Sequence, residues 1–178
     1  MDVWITITLE VVALPFRTRV RDQWQNSNDR LKICFREGLL TGTLPGKSRI
    51  LSLPKITDAR GNLSFVHEIE HVPFEFKRVY YLYDVPAGAE RGGHAHKQLH
   101  QFIIAVSGSF EVKLSDGSEE VSYTLSRPFE GLYVAPMTWR DLLNFSSGSV
   151  CLVLASAHFD ESDYIRSFED YRALVVPQ

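Results

Sequence analysis

The feature that most constrains the fold is a regular series of short apolar runs that begins near residue 49. The runs are rich in β-branched and aromatic residues, and turn signals such as PAGAERGG separate them at intervals of about 8–12 residues. We expect a strand in each of eight runs: RILSLPKI, LSFVHEI, KRVYYLYDV, HQFIIAV, GSFEVKL, EVSYTL, GLYVAP and VCLVLAS. The triplet SDG, between FEVKL and EEVSYTL, is a strong hairpin signal. Many short strands at this spacing predict an all-β sandwich or small closed barrel. Only DESDYIRSFEDYRALV, residues 160–175, has the apolar spacing of a helix.

Composition and charge exclude several classes of protein. The chain has 178 residues, enough for one well-buried core, and a formal net charge of -3 that gives no general attraction to nucleic acid or to anionic membranes. No apolar run reaches the roughly 18–20 residues of a membrane span. The opening segment contains Asp2 and Glu10 and lacks a basic region, so we expect no signal peptide. Cys34 and Cys151 are too few for a disulfide framework, which favours a cytoplasmic protein.

The sequence changes character near residue 48. Residues 1–47 show no period that persists over more than a few residues, whereas the strand pattern begins directly afterwards. We therefore predict a domain over residues 48–178 and an N-terminal extension over residues 1–47. Two interpretations of the extension stay open. It is either an over-extended reading frame or a genuine segment that packs on the domain or on a partner.

The chemically most suggestive segment is RGGHAHK, residues 91–97. If it lies in a strand, His94 and His96 point to the same face, because strand side chains repeat every two residues. A cupin metal site would add a carboxylate and a third histidine, but those positions hold Gln101 and Arg140. An amide is a poor ligand and a guanidinium repels cations, so we predict no metal. His100 is four residues beyond His96, too far along the strand for the same ion.

Three interpretations of the histidine pair follow. The two imidazoles are ordinary strand residues, or half of a metal site, or groups that transfer protons in a metal-free barrel. Histidine suits proton transfer because its unperturbed pKa lies near neutrality. A same-face pair beside a Gly-Gly turn favours the third interpretation.

Longer segments resemble a known family. KRVYYLYDVPAGAERGGHAHKQLHQFIIAVSGSFEV, GLYVAPMTWRDLLNFSS, VLASAHFDESDYIRSFEDY and ITDARGNLSFVHE are similar to the bacterial nucleotide-sugar 3,4-ketoisomerases, the WxcM-like cupin family. The resemblance covers about Ile50 to Tyr171 and none of residues 1–47. It implies a small jelly-roll β-barrel with a short C-terminal helix, working as a homodimer without metal or other cofactor. The implied substrate is dTDP-4-keto-6-deoxyglucose, whose ketone moves from C4 to C3 to supply 3-amino deoxysugars for bacterial surface polysaccharides.

The resemblance also implies roles for individual residues. His94 would carry the carbon-bound proton, with His96 as relay or hydrogen-bonding partner, although the division of roles between them stays open. Tyr80 would donate to a substrate oxygen. Substrate binding would fall to three arginines: Arg60, Arg91 and Arg140. Family members vary at the positions of Arg60 and Arg140, so the configuration of the product at C4 also stays open.

Two further functions compete with this one. A non-catalytic cupin could bind a nucleotide sugar, but it would not need His94, His96 and Tyr80 together. A related deoxysugar epimerase would abstract a proton from the same substrate, but its overall motif order is not found here. The sequence therefore favours a metal-independent sugar 3,4-ketoisomerase.

Overall fold

The part of the chain that the structure describes, residues 32–33 and 48–176 of a computed structural model, is built almost entirely of short strands. The predicted N-terminal extension, residues 1–47, lies outside the described residues apart from the first strand, so its status stays a prediction. The strands are β1 (Lys32–Ile33), β2 (Arg49–Ser52), β3 (Lys55–Asp58), β4 (Gly61–Ser64), β5 (Arg78–Leu82), β6 (Arg91–His96), β7 (Gln101–Ser107), β8 (Phe110–Ser115), β9 (Glu120–Leu125), β10 (Glu130–Val134), β11 (Trp139–Leu143), β12 (Val150–Ala155) and β13 (Tyr164–Ile165). A 3-10 helix spans Glu161–Asp163, and one α-helix, α1, spans Phe168–Val175.

Two five-stranded sheets form the domain. The first has the order β2-β10-β7-β12-β5 and the second the order β13-β6-β11-β8-β9, with every pairing antiparallel. β3 and β4 form a separate antiparallel hairpin. The predicted all-β jelly-roll fold with a short C-terminal helix is confirmed.

The main core is formed by side chains that both sheets contribute. Alternate residues of each strand point inward, as the period of two requires. In β5, for example, Tyr80 and Leu82 pack against the core while Tyr81 is exposed. Burial of each such large side chain contributes about 1.5–3 kcal/mol. The buried members are Ile103, Ala105, Phe110, Val112, Leu114, Leu125, Leu132, Val134, Leu142, Phe145, Cys151 and Val153.

The C-terminal segment covers the outer face of the second sheet. Tyr171 of α1 is fully buried, and its single hydroxyl proton is shared between two acceptors, the carbonyl oxygens of Ser115 at 2.8 Å and Met137 at 2.9 Å. The predicted helix over residues 160–175 was wrong in its first half. The side chain of Asp160 accepts from the Ser162 N–H and caps the 3-10 turn, and Tyr164–Ile165 then pairs with β6. The first half of the segment therefore forms a 3-10 turn and a short strand rather than a helix. α1 begins at Phe168, and the side chain of Ser167 caps its N-terminus.

The strand pattern was also incomplete. RILSLPKI, expected as one strand, is divided into β2 and β3 at Leu53-Pro54, because proline cannot donate to a ladder. LSFVHEI contributes only Leu63 and Ser64 to a strand. β6 begins inside the expected turn PAGAERGG, and β11 and β13 had no strand signal of their own. No helix among the described residues is both long and apolar enough to cross a membrane.

Substitution of Gly131, a glycine in β10, tests how tightly side chains pack against the first sheet. A Cβ at Gly131 would overlap the ring of Phe102, which is itself fully buried. Gly131→Ala is therefore expected to lower the free energy of unfolding by about 3 kcal/mol, since the core cannot yield. Urea titration measures the loss. Gly88→Ala is the control: that site has open space and a φ of +78°, so only backbone strain of about 1–2 kcal/mol is expected. Equal losses in the two variants would show that Phe102 can turn aside.

Candidate active site

The histidine pair lies at one end of the space between the two sheets. Ala95, between the two histidines, packs outward with Trp139 and Ile165, so His94 and His96 point inward. β11 places Arg140 opposite His94, and β13 places Tyr164 opposite His96. Both histidines are buried, at 8% and 4% exposure. The predicted strand thus presents both imidazoles to the interior.

Hydrogen bonds determine which nitrogen of His94 carries the proton. Nδ1 lies 3.0 Å from the carbonyl oxygen of Gly92, which can only accept, so Nδ1 is protonated. Nε2 lies 3.0 Å from Nη2 of Arg140 and accepts from it. Gly92 is required at this position, because its φ is +91° and a Cβ would lie 2.8 Å from the Arg140 carbonyl oxygen.

A chain of hydrogen bonds continues from Arg140 to Tyr80. Nε of Arg140 donates to Oε1 of Gln101 at 2.7 Å, and Nε2 of Gln101 donates to the Tyr80 hydroxyl at 2.9 Å. The Tyr80 oxygen thus accepts from the amide, which leaves its own proton for another acceptor. Gln101, which stands where a metal-binding cupin has a carboxylate, here connects the arginine to the tyrosine.

His96 has a different pair of partners. Its Nδ1 lies 3.0 Å from Oδ2 of Asp163, so the protonated nitrogen donates to the carboxylate. Its Nε2 is buried and has no hydrogen-bond partner among the described residues. The role of Asp163 was missed by the sequence analysis. The signal for it was the segment DESDYIR, which the family resemblance includes but to which no role was assigned.

A cavity of about 280 Å³ opens beside His96. Arg78 is a second residue with an unpaired atom here, because its buried Nε has no partner in the described part of the chain. The Arg78 guanidinium lies over the rings of Tyr80 and Phe159, at 5.1 and 5.8 Å. The sequence analysis assigned no role to Arg78. The lining of the cavity is Arg78, His96, Gln98, Leu99, Ser156, Ala157, His158, Asp160, Asp163 and Tyr164.

Both imidazoles are neutral at neutral pH. Burial, followed by the charge of Arg140, lowers the pKa of His94 to about 3. Burial, followed by the positive charges of Arg140, Arg78 and Arg166, likewise lowers the pKa of His96 to about 3. Burial raises the pKa of Tyr80, which keeps its phenol protonated as a donor.

These pKa shifts make stability depend on pH. A histidine whose pKa falls from 6.5 to about 3 on folding leaves the unfolded chain with more bound protons between those values. The free energy of unfolding is therefore expected to fall as pH drops from about 6.5 toward 3, by up to about 1.4 kcal/mol per pH unit for each histidine. Urea unfolding at several pH values measures this slope. The His94→Asn, His96→Asn double variant should have a shallower slope, and an unchanged slope would contradict the assignment.

The residues of the site do not fit a cupin-type metal ion. Arg140 already donates to the Nε2 lone pair of His94 that a metal would take, and its positive charge disfavours a cation there. Within residues 32–33 and 48–176, no group of three or more histidine, cysteine or acidic side chains is placed to hold a metal. The arrangement supplies proton acceptors, the phenol of Tyr80 and cationic donors instead.

Two of the predicted site residues lie apart from this cluster in the described chain. Arg60 is in the β3–β4 turn, exposed, and pairs with Asp58 at 2.6 Å. Arg91 is exposed at the start of β6, opposite Leu142. The structure thus brings His94, His96, Tyr80 and Arg140 together and leaves Arg60 and Arg91 outside.

Comparison with known proteins gives consistent matches. A family model described as FdtA, WxcM-like, C-terminal, matches residues 46–176. A TDP-4-oxo-6-deoxy-alpha-D-glucose-3,4-oxoisomerase from Aneurinibacillus thermoaerophilus is 40% identical over 130 residues, which is 73% of this chain and 94% of that protein.

Solved structures of similar proteins match over the same part of the chain. A 3,4-ketoisomerase from Helicobacter canadensis has 40% identity and a TM-score of 0.71, covering 72% of this chain and 97% of its own. A mutant of the 3,4-ketoisomerase QdtA from Thermoanaerobacterium thermosaccharolyticum, in complex with TDP-4-keto-6-deoxyglucose, has 36% identity and a TM-score of 0.72, covering 74% and 96%.

Proposed function

This chain belongs to the FdtA family of WxcM-like proteins, and we propose that its buried histidine site moves the ketone of TDP-4-keto-6-deoxyglucose from C4 to C3. The predicted family and the enzyme class, sugar 3,4-ketoisomerase, are confirmed by the matched relatives. One relative binds this nucleotide sugar in its crystal structure. The observation that carries the proposal is the convergence of two neutral imidazoles, a phenol and two guanidinium groups on one interior site.

The reaction requires two proton transfers between neighbouring atoms. The hydrogen on C3 is acidic because it is α to the C4 carbonyl, so a base can remove it and leave an enediolate. The same proton returns at C4, while the proton of the C3 hydroxyl moves to the oxygen on C4. Atoms and charge then balance without an external acid, base or oxidant.

We assign the carbon-bound proton to His94. The base and the oxygen donor must converge, because C3, C4 and their oxygens are adjacent. A chain of hydrogen bonds holds these groups close together: it runs from Tyr80 through Gln101 and Arg140 to Nε2 of His94. When Arg140 turns to a substrate oxygen, Nε2 is released as the base. The enediolate then stabilises the imidazolium that burial disfavours.

The remaining groups act on the oxygens. Nε2 of His96, which has no hydrogen-bond partner among the described residues, takes the proton of the C3 hydroxyl and returns it to the oxygen on C4. The Tyr80 phenol donates a hydrogen bond to the developing oxyanion. Arg78 and Arg140 add positive charge beside it, which is effective because the site is buried.

The anionic nucleotide part of the substrate needs further cationic contacts. Arg91, exposed at the start of β6, is proposed for it, since an arginine binds phosphate oxygens bidentately. Arg60 stays a proposed substrate-binding residue. A homodimeric assembly is also part of the proposal, by analogy with the family resemblance.

Proton NMR of TDP-4-keto-6-deoxyglucose in D2O with the chelator-treated protein tests the function. A 3-keto product supports the ketoisomerase, and the coupling of its C4 proton gives the configuration. Binding without conversion would indicate a non-catalytic sugar-binding protein. Exchange without movement of the ketone would indicate an epimerase. Activity that appears only after metal is added back would overturn the metal-free mechanism.

A further inference from the structure

We propose that Asp163 is a positioning residue, which holds His96 in the tautomer with its proton on Nδ1 and thereby keeps Nε2 free to take a proton from the substrate. The catalytic part of this inference rests on the proposed function. The structural part, the tautomer itself, does not.

The carboxylate of Asp163 is held from two directions. Oδ2 accepts from Nδ1 of His96 at 3.0 Å, and Oδ1 accepts from the backbone N–H of Gln98 at 2.8 Å. The Lys97 N–H also donates to the backbone carbonyl of Asp163 at 2.9 Å. These contacts connect the 3-10 helix to the end of β6, 67 residues away in sequence. The carboxylate thus has little freedom to leave the imidazole.

The second ring nitrogen of His96, Nε2, is the one that can accept a proton. The His96 side chain is 5% exposed, and its Nε2 has no hydrogen-bond partner among the described residues. Buried polar atoms without partners are rare in native proteins and call for an explanation. His96 also lines the 280 Å³ cavity, so a ligand in that cavity can supply the partner. His94 differs, because Arg140 already donates to its Nε2.

Several charged or titratable groups surround His96 and affect its basicity together with the carboxylate of Asp163. Three arginines, Arg140, Arg78 and Arg166, disfavour the protonated form of His96 through their positive charge. Asp163, in contrast, is an anion hydrogen-bonded to the ring. Loss of that anion should therefore make His96 a weaker base. The groups that face His96 or line its cavity are His94 on β6, Arg140 on β11, Arg78 on β5, and Asp160, Asp163, Tyr164, Arg166 and His158 from the C-terminal segment.

Asparagine at position 163 is expected to reverse the tautomer. The backbone N–H of Gln98 can only donate, so the amide oxygen of Asn would accept from it. The amino group of Asn would then face Nδ1 of His96 and donate to it. The imidazole proton would move to Nε2, which would become a donor and could no longer accept a proton.

The activity test compares two Asp→Asn variants of the full-length protein. Asp163→Asn is expected to lower kcat on the order of 10²-fold or more, with a much smaller change in KM. Asp116→Asn is the matched control, because the Asp116 carboxylate also accepts from backbone N–H groups, those of Ser118 and Glu119, but is hydrogen-bonded to no histidine in the part of the chain that the structure describes. It should leave kcat unchanged. Asp163→Glu, which retains a carboxylate, should recover part of the lost activity, and its pH profile should resemble that of the wild type more closely. Wild-type kcat in folded Asp163→Asn would overturn the positioning role.

The tautomer can be measured without any substrate. Nitrogen-15 NMR of the imidazoles, assigned with His96→Asn, should show an unprotonated Nε2 in the wild type and a protonated Nε2 in Asp163→Asn. A protonated Nε2 in the wild type, or the same tautomer in both proteins, would overturn the inference. If the wild type fails to isomerise the keto sugar, the proposed function fails, while this spectrum still decides the role of Asp163.

Discussion

His94→Asn is expected to abolish measurable 3,4-isomerisation, with a loss in kcat on the order of 10⁴-fold. General base catalysis contributes about 10²–10⁴-fold, and asparagine has no nitrogen that can hold the carbon-bound proton. The measurement is proton NMR in D2O, which follows both the conversion of the sugar and the exchange of its C3 hydrogen. His94→Asn should lose both, because C3 is never deprotonated.

The control variants separate chemistry from folding. His67→Asn replaces an exposed histidine outside the site and should keep wild-type activity. His96→Asn should lose isomerisation but keep exchange at C3, since it removes the oxygen relay alone. If exchange instead persists in His94→Asn and is lost in His96→Asn, the roles of the two imidazoles are the reverse of those proposed. Thermal melting of each variant shows that it is folded.

Tyr80→Phe is expected to lower kcat on the order of 10²–10³-fold. The variant removes the phenol that is proposed to donate to the developing oxyanion, and loss of a single such donor costs about this much in other enzymes. It also leaves Nε2 of Gln101 without an acceptor, so the free energy of unfolding should fall by about 1–3 kcal/mol. Steady-state kinetics and urea unfolding measure the two effects separately.

Tyr81→Phe is the matched control for this variant. Tyr81 is the next residue of β5, lies on the opposite face of the strand and is 61% exposed. Both kcat and stability should be unchanged there. Equal kcat in Tyr80→Phe and the wild type would exclude the phenol from the reaction and leave Arg78 and Arg140 as the oxyanion donors.

Much of the fold follows from local patterns. β7, β8, β9, β10 and β12 were all predicted, because their alternating or continuous apolar residues are a property of the strand itself. β11, with the sequence WRDLL, was missed because its inward Arg140 breaks the apolar pattern. β13 was assigned to a helix because its pairing with β6 depends on a distant partner. The local spacing of apolar residues therefore cannot predict β11 or β13.

The candidate site likewise has features that the sequence predicts and features that only the structure shows. The sequence by itself determined that His94 and His96 share a face, since strand geometry requires it, and that Gln101 and Arg140 occupy former ligand positions. Only the tertiary structure decided that Asp163 orients His96, 67 positions away in sequence, that Arg78 lines the cavity, and that Arg60 and Arg91 lie apart from the cluster. The physical reason is that the period of a strand is set by its own backbone. Contacts between distant segments instead depend on sheet register and on burial, which no single segment encodes.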